Sequence, residues 1–314
     1  MFASRKVFAA KATTSLASAV CEHLGQPLGH ADIMKFKNDN KFVQIKESVR
    51  ASDVFVIQTS CPPVDDNLME LLLMIDALRR ASAERITAVL PYYPYARSDK
   101  KDQPRIPITA RLVADLLTTA GADRVVTIDL HSAQIGGFFS IPLDHLTATK
   151  LFCKYIESKH LSSPVVVACD AGGAKNAVKF ARGIGAPLAI MEKERLGNSD
   201  TVEVTAFIGD VRGRQAIIFE DEISSGGTIV GAVKELRQHG AQEIYVCATH
   251  GVFCADAFDR LSRIGVEEII TTDSVPHDRE ALPSVFKQIS IAPLLADAIC
   301  RIHNGDSVSD LFHY

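Results

Sequence analysis

The chain has 314 residues, of which 47% are hydrophobic and 23% charged, and its formal net charge is −4. This length accommodates two domains, and the composition is that of a soluble globular protein. The charge gives no reason to expect nucleic acid as a partner, and no apolar run approaches the ~20 residues that cross a membrane. Seven scattered cysteines without a Cys-x-x-Cys motif predict reduced thiols and a cytoplasmic location.

The first 21 residues allow two interpretations. They contain Arg5, Lys6 and Lys11 but no acid, which is faintly typical of an organellar transit peptide. The ordinary interpretation, which we favour, is a first strand at residues 6–10 followed by a first helix at 16–24.

Strand-like and helix-like runs then alternate along the chain. The strand-like runs are, in order, DVFVIQT, ITAVLPY, RVVTIDL, PVVVACD, AIIFED, EIYVCATH and EEIITTD. Helical spacing lies between them, for example at residues 67–81. The alternation predicts an α/β fold with a mainly parallel sheet covered by helices, in which ligands bind beyond the carboxyl ends of the strands. Four residues with informative chemistry directly follow such runs: Arg97, His131, Asp170 and Asp221.

The domain boundary is expected near residues 145–149. We assign residues 1–147 to a first domain and 148–294 to a second. Residues 295–314 form a C-terminal segment that we expect to pack back on the first domain.

The stretch FEDEISSGGTIVGA, residues 219–232, carries the clearest chemical signal. Residues 216–219 predict a buried strand that ends in three acids, and residues 229–239 predict a helix that stops at Gly240. The glycines between them let backbone N–H groups point at an anion beside a helix N-terminus, as in phosphate sites. The carboxylates would then bind sugar hydroxyls or Mg²⁺, so a ribose phosphate is the simplest ligand.

Two further clusters lie in the first half. PYYPYARSDKKDQPR, residues 91–105, places cations beside tyrosines, which suits a polyphosphate with a stacked base, and a solvated charged loop is an equal alternative. In DLHSAQIGGFFSIPLD, residues 129–144, His131 follows a strand end. It would bind a metal or a phosphate oxygen, or else play a structural part.

The second half contains two weaker clusters. In CDAGGAK, residues 169–175, Gly172 and Gly173 permit close backbone approach after Asp170. In MEKERLGN, residues 191–198, Lys193 and Arg195 could close on a loop over a transferring phosphoryl group. A solvated hairpin arm is the alternative for this stretch.

Taken together, these clusters resemble the ribose-phosphate pyrophosphokinase family over about residues 6–312. The matching stretches are ESVR, DNLMELLLMIDA, PYARSDKKD, DLHSAQ, GFFSIPLD, the Gly-Gly turn at 170–175 and HNGDSVSDLF. The combination DLHSAQ-x-x-GFF-x-IPLD beside ARSDKKD is highly specific. The resemblance implies two similar domains of the type I phosphoribosyltransferase fold, each a mainly parallel sheet flanked by helices, usually assembled into hexamers.

The resemblance also implies an activity, namely transfer of the β,γ-diphosphoryl group of ATP to the 1-hydroxyl of ribose 5-phosphate, with Mg²⁺ as cofactor. Lys193 and Arg195 would be the catalytic pair, and His131 and Asp170 would serve the metal. Residues on the ATP side would be Phe36, Asn38, Asn40, Arg97, Ser98, Asp102 and His131. Residues on the ribose 5-phosphate side would be Glu220, Asp221, Ser224, Ser225, Gly226, Gly227 and Thr228.

Many members of the family bind inorganic phosphate as activator and ADP as inhibitor at a subunit interface. The matching positions are Ser48, Arg50, Ser82, Arg105, Asp144, Ser307 and Ser309. Gly136 replaces a usual Gln there and His145 a usual Asn.

The chain departs from the usual pattern at other positions as well. Glu220 replaces an Asp in the ribose-phosphate loop, and Ser224 replaces a carboxylate. Ser98, Asn40 and Asn176 replace the usual Gln, Glu and Arg. These changes bear on nucleotide specificity and on ribose-phosphate affinity.

Two other functions remain as alternatives. A phosphoribosyltransferase would share the 216–228 segment but would have no reason to carry PYARSDKKD and DLHSAQ. A non-catalytic or regulatory subunit would tend to lose the catalytic-loop cations. Lys193 and Arg195 are present, so the sequence favours a catalyst.

Overall fold

The computed structural model describes residues 4–195 and 202–311, with backbone alone for 192–195 and 202–206. Contacts divide the chain into two compact units. Of the described residues, the first unit contains 4–147, 274–276 and 290–311, and the second contains 148–273 and 277–289. Among these residues, no helix combines the length and apolar character that a membrane crossing requires.

The first unit is built on a five-stranded sheet in which every strand is parallel to its neighbours. The strands lie in the order β1-β4-β5-β6-β7, and a separate antiparallel hairpin is formed by β2 and β3. Its elements are β1 (Arg5–Ala9), α1 (Thr14–Leu24), β2 (Ala31–Lys35), β3 (Lys41–Ile45), β4 (Asp53–Ile57), α2 (Val64–Arg80), β5 (Arg85–Leu90), α3 (Thr109–Ala120), β6 (Arg124–Ile128) and β7 (Leu143–Leu146).

The second unit contains a seven-stranded sheet in the order β10-β9-β8-β11-β12-β13-β14. All neighbours are parallel except β10, which pairs antiparallel with β9. Its elements are α4 (Thr149–Glu157), β8 (Pro164–Ala168), α5 (Ala174–Gly183), β9 (Leu188–Arg195), β10 (Val202–Ile208), β11 (Gln215–Ile223), α6 (Gly227–Gln238), β12 (Glu243–Gly251), α7 (Ala257–Ser262), β13 (Glu268–Thr272) and β14 (Phe286–Ile289).

The chain then returns to the first unit as helix α8 (Ala292–Asn304), which packs against α1. A buried polar network fixes the end of α8 to the sheet. Fully buried Asp53 accepts two hydrogen bonds from Arg85, at 2.8 and 2.7 Å, and lies 2.8 Å from Nδ1 of His303. Arg85 also donates to the carbonyl oxygen of Ile302 at 2.8 Å. The sequence boundary at residue 295 therefore falls inside a helix that belongs entirely to the first unit.

Apolar spacing explains most of these elements. All five residues of β4 are buried, as expected for a strand covered on both faces of a parallel sheet. Helix α2 carries acids in its first turn and arginines in its last, which complements the helix dipole, and it buries Leu71, Met74, Ile75 and Leu78. The predicted α/β class, the first strand and the first helix are confirmed.

The structure corrects two local predictions. The strand that contains AIIFED does not end at its acids, because β11 continues through Ile223 and stays paired with β12 through Gly251. Lys193 and Arg195 lie on strand β9, where their backbones pair with Val204 and Val202 of β10, and not on a loop. The side chains of this pair lie outside what the structure describes, as do Gly197, Asn198 and Ser199.

Candidate active site

The strand order of the second unit reverses at β8. Its neighbours are β9 on one side and β11 on the other, so the chain moves outward in both directions from this point. In open α/β sheets, such a switch point opens a crevice at the carboxyl ends of the strands. Ile218 of β11 lies beside Val167 of β8, so the residues that follow both positions reach the same edge of the sheet.

Two carboxylates converge at this edge. Asp170 follows β8, and its Oδ1 accepts the backbone N–H of Gly173 at 2.8 Å. A Cβ atom placed on Gly173 would lie 3.7 Å from Oδ1 of Asp170 and 3.7 Å from Oε2 of Glu220. Gly173 therefore lies near both carboxylates.

The acids of β11 alternate between the faces of the sheet. Glu220 and Glu222 pair with Ala248 and His250 of β12, which shows that the strand is regular here. Successive side chains of a strand point to opposite faces, so Glu220 and Asp221 leave the sheet on different sides. Oδ1 of Asp221 accepts the N–H of Glu222 at 2.9 Å.

The loop after β11 leads directly into the N-terminus of α6. Gly226 is the N-cap residue with a φ of 76°, in the left-handed region. A Cβ atom on Gly226 would lie 2.9 Å from Cγ of Leu261, so glycine is required for both conformation and space. Gly227 and Thr228 are exposed at the first turn, where the N–H groups that begin a helix and the helix dipole favour an anion.

The segment after β12 supports this loop from the side. The N–H groups of Val252 and Cys254 donate to the carbonyl oxygens of Ile223 and Ser224, at 2.9 and 3.0 Å. Arg260 of α7 contacts the carbonyl oxygen of Ser225 at 3.4 Å. Sequence reasoning missed this support. In the sequence, this support is indicated only by the run GVFCADAF between a strand and a helix, because the contacts join positions some 30 residues apart.

In the first unit, the hairpin of β2 and β3 presents an aromatic ring at its tip. The N–H of Phe36 donates to the carbonyl oxygen of Asn40 at 2.8 Å, and Asn38 accepts the N–H of Asn40 at 3.3 Å. The Phe36 ring packs edge-on against Phe42, with 5.8 Å between ring centroids, yet it is 51% exposed. Such a surface is suited to stacking on a flat base.

The charged loop after β5 has a defined backbone. The N–H of Ser98 donates to the carbonyl oxygen of Tyr95 at 2.9 Å, and Ser98 in turn accepts the N–H of Ala110 at 3.2 Å. The hydroxyl of Tyr95 bonds the Asp65 carboxylate, and this bond raises the pKa of Tyr95. Arg97 and Asp102 are exposed on the same loop.

His131 is exposed after β6. The preceding Asp129 has a φ of 37°, and Nε2 of His145 accepts the N–H of Leu130 at 2.8 Å. His145 therefore fixes the backbone immediately before His131. His131 belongs to the first unit and Asp170 to the second.

Comparisons with known proteins decide the family. The chain is 49% identical to a ribose-phosphate pyrophosphokinase of Caldanaerobacter subterraneus over 98% of both chains, and 45% identical to one of Rhodopirellula baltica over 98% of both. The chain belongs to the ribose-phosphate pyrophosphokinase family.

Structure and domain models agree with this membership. The crystal structure of phosphoribosylpyrophosphate synthetase from Mycobacterium smegmatis superposes with a TM-score of 0.90 at 44% identity, covering 96% of this chain and 99% of that one. Residues 5–121 match the N-terminal domain of ribose phosphate pyrophosphokinase, and residues 199–313 match a phosphoribosyl synthetase-associated domain. The predicted family and fold class are therefore confirmed.

The residues suggested for phosphate and ADP control by the family pattern all lie in the first unit. The carbonyl oxygen of Ser82 accepts the N–H of Ala51 at 2.9 Å. Because Ala51 directly follows Arg50, this bond brings Ser82 close to the segment that contains Ser48 and Arg50. Oγ of Ser307 lies 3.0 Å from Oγ of Ser309. Asp144 is buried and paired with Arg124, whereas Arg105 is exposed with a φ of 67°.

The carboxylates of the second unit suit the modest demands of Mg²⁺. Among the described residues, no group of three or more His, Cys, Asp or Glu side chains could form a metal cage. In nucleotide enzymes, however, Mg²⁺ keeps several waters and takes one or two carboxylates together with substrate phosphates. Asp170, with one oxygen oriented by the Gly173 amide and Glu220 close by, fits that requirement.

Proposed function

We propose that this chain is a ribose-phosphate diphosphokinase, which transfers the β,γ-diphosphoryl group of ATP to the 1-hydroxyl of D-ribose 5-phosphate. The products are 5-phosphoribosyl 1-pyrophosphate and AMP. The observation that carries the proposal is that Asp170 and Glu220 both lie near Gly173 at the switch point, where the strand of Glu220 leads into the Ser-Ser-Gly-Gly-Thr loop. Carboxylates that would bind the sugar and a helix start that would bind its phosphate would then share one crevice.

Ribose 5-phosphate is proposed to bind in the second unit. The amides of Gly226, Gly227 and Thr228, with the hydroxyls of Ser224 and Ser225, would hold its 5-phosphate, because these groups donate at a helix N-terminus. Glu220, which lies near Gly173, would accept hydrogen bonds from the ribose hydroxyls. Asp221, whose side chain leaves β11 on the other face, is assigned to the ribose by the family pattern alone. This division keeps the carboxylates away from the phosphate, which they would repel.

ATP is proposed to bind through the first unit. Phe36 would stack on the adenine, with Asn38 and Asn40 at its edge. Exposed Arg97 would pair with phosphate oxygens, since its guanidinium matches them bidentately. Ser98 and Asp102 on the same loop, and His131 after the neighbouring strand, would also contact the polyphosphate.

Mg²⁺ would be held by Asp170, with His131 as the second group named by the family pattern. The ion would neutralise phosphate charge and orient the diphosphoryl group. Lys193 and Arg195 would stabilise the charge that develops during transfer, a role in which correctly placed cations matter most.

We further propose that the chain works in the cytoplasm as a homo-oligomer, hexameric or built from dimers. Inorganic phosphate would act as an activator at the positions of Ser48, Arg50, Ser82, Arg105, Asp144, Ser307 and Ser309. A flat rate across a phosphate titration would refute this control.

The reaction is tested by phosphorus NMR on the purified full chain with ribose 5-phosphate, ATP and Mg²⁺. AMP together with a new sugar-linked diphosphate is the expected result. ADP with a sugar monophosphate would instead identify an ordinary kinase and refute the mechanism.

Matched variants separate catalysis from binding. K193A and R195A are expected to abolish turnover while ribose 5-phosphate still binds in isothermal titration. K234A, which removes an exposed lysine from α6, is the control and should keep wild-type rates. If the wild-type chain binds ribose 5-phosphate but gives no product with phosphate or with other nucleoside triphosphates, the non-catalytic subunit is the correct reading. S224D and N40E would then test whether restored family residues recover activity.

A further inference from the structure

Three consecutive carbonyl groups, those of residues 223–225, accept hydrogen bonds from the segment 252–260, which we call the supporting segment. The first two accept backbone N–H groups that follow β12, at 2.9 and 3.0 Å. The third accepts a side chain, because Nη1 of Arg260 on α7 donates to the carbonyl oxygen of Ser225 at 3.4 Å. The loop between β11 and α6 is therefore held along one side.

This arrangement sets the direction of the loop amides. In a trans peptide unit, the C=O and the N–H lie in one plane and point in opposite directions. The carbonyl of Ser225 shares its peptide unit with the N–H of Gly226, so a carbonyl held towards the supporting segment turns this N–H away from it. The N–H groups of Ser224 and Ser225 are directed in the same way by the two carbonyls before them.

The peptide unit between Ser225 and Gly226 is the one that most needs such a contact. Strand β11 ends at Ile223, so the sheet no longer fixes the backbone here. Gly226 has no side chain to restrict the rotation of this unit. Arg260 bonds the carbonyl of the unit, and the neighbouring Leu261 fills the space beside Gly226. Helix α7 therefore contacts this peptide unit on both of its residues.

Asp256 holds the Arg260 side chain in place. Nη2 of Arg260 lies 2.9 and 3.1 Å from the two carboxylate oxygens of Asp256, one helical turn earlier. Because the guanidinium is planar, the fixed Nη2 also fixes the direction of Nη1. The two side chains are 41% and 61% exposed, and ion pairs as exposed as this one contribute little to stability. The effect of Arg260 should therefore appear in the loop and not in the stability of the fold.

We propose that Arg260 is a positioning residue, which orients the N–H of Gly226 towards the 5-phosphate of ribose 5-phosphate without touching the substrate. This inference rests on the proposed function, because the direction of the amide matters only if the phosphate binds at this loop. If the same peptide unit turned over, it would present its carbonyl oxygen to the phosphate and repel it. The direction of one peptide unit thus decides between attraction and repulsion.

The first test is isothermal titration of the full-length chain with ribose 5-phosphate, together with steady-state kinetics. R260A should raise both the Kd and the KM for ribose 5-phosphate by about two- to tenfold, the equivalent of one hydrogen bond. The kcat and the KM for ATP should not change. R260K keeps a donor and should recover part of the loss. R263A removes an exposed cation directly after α7, so this control should match the wild type.

A second test asks whether Asp256 acts through Arg260. D256A should weaken the binding of ribose 5-phosphate in the same direction as R260A, but less. The double variant should bind no more weakly than R260A, because the acid has no effect once the arginine is absent. Additive losses would show that the two residues act separately and would overturn the proposed arrangement.

The outcomes separate this inference from the proposed function. A wild-type chain that does not bind ribose 5-phosphate would refute both. If the wild type binds it and G226A weakens binding while R260A does not, the loop binds the phosphate but Arg260 does not position it. Equal losses in R260A and R263A would indicate long-range attraction of the phosphate and would also overturn the role of Arg260. Urea denaturation verifies that each variant is folded.

Discussion

The glycine at the start of α6 offers a sharp test of the proposed ribose-phosphate loop. Gly226 has a φ of 76°, and a Cβ atom there would lie 2.9 Å from Cγ of Leu261. In G226A, the left-handed conformation costs about 1–2 kcal/mol, and overlap with a packed leucine adds about 1–3 kcal/mol. We therefore expect the free energy of unfolding to fall by about 2–5 kcal/mol in urea denaturation. The KM for ribose 5-phosphate should rise, because the loop amides turn away from the phosphate.

Two other glycines of the same unit separate the causes. Gly185 also has a positive φ, of 65°, but a Cβ there meets nothing within 4 Å, so G185A measures the conformational cost alone. Gly231 lies within α6 with open space around it, and G231A should stabilise the helix by about 0.5–1 kcal/mol. If G226A is no more destabilising than G185A, the overlap with Leu261 is wrong. An unchanged KM in a destabilised G226A would refute the role of the loop in phosphate binding.

Two further predictions concern buried groups. D53N should lower the free energy of unfolding by about 1–3 kcal/mol, since it removes the buried charge that pairs with partly buried Arg85. D76N, which removes an exposed pair on α2, should leave the urea midpoint nearly unchanged. Equal effects of the two changes would refute the stabilising role of the Asp53 network. Burial raises the pKa of Cys21 to about 11, whereas Cys254 is exposed. A thiol reagent at pH 8 should therefore label Cys254 in the native chain and spare Cys21, which peptide mass spectrometry can check. Labelling of Cys21 at the same rate would contradict its burial.

Local sequence patterns predicted much of the fold, because the formation of a strand, a helix or a turn depends mainly on neighbouring residues. Runs such as DVFVIQT are apolar on both faces, and only a buried parallel strand accommodates them. The glycines of the loop 224–228 likewise predicted a tight turn before a helix, since few other residues adopt the left-handed conformation found at Gly226. The hairpin of β2 and β3 could also have been found from the alternation in DIMKFKNDNKFVQI.

What the sequence by itself determined is the α/β class, the family motifs and the chemistry at each strand end. Only the tertiary structure decided which strands are neighbours. It thereby placed Asp170 and Glu220, which are 50 residues apart in the chain, near Gly173 at the same switch point. Only the structure shows that Asp53 contacts His303 and that Lys193 and Arg195 lie where β9 pairs with β10. It also shows that the outer face of α3 is exposed. The physical reason is that helix and strand periodicity depend on adjacent residues. Strand order and burial instead depend on which distant surfaces exclude water together.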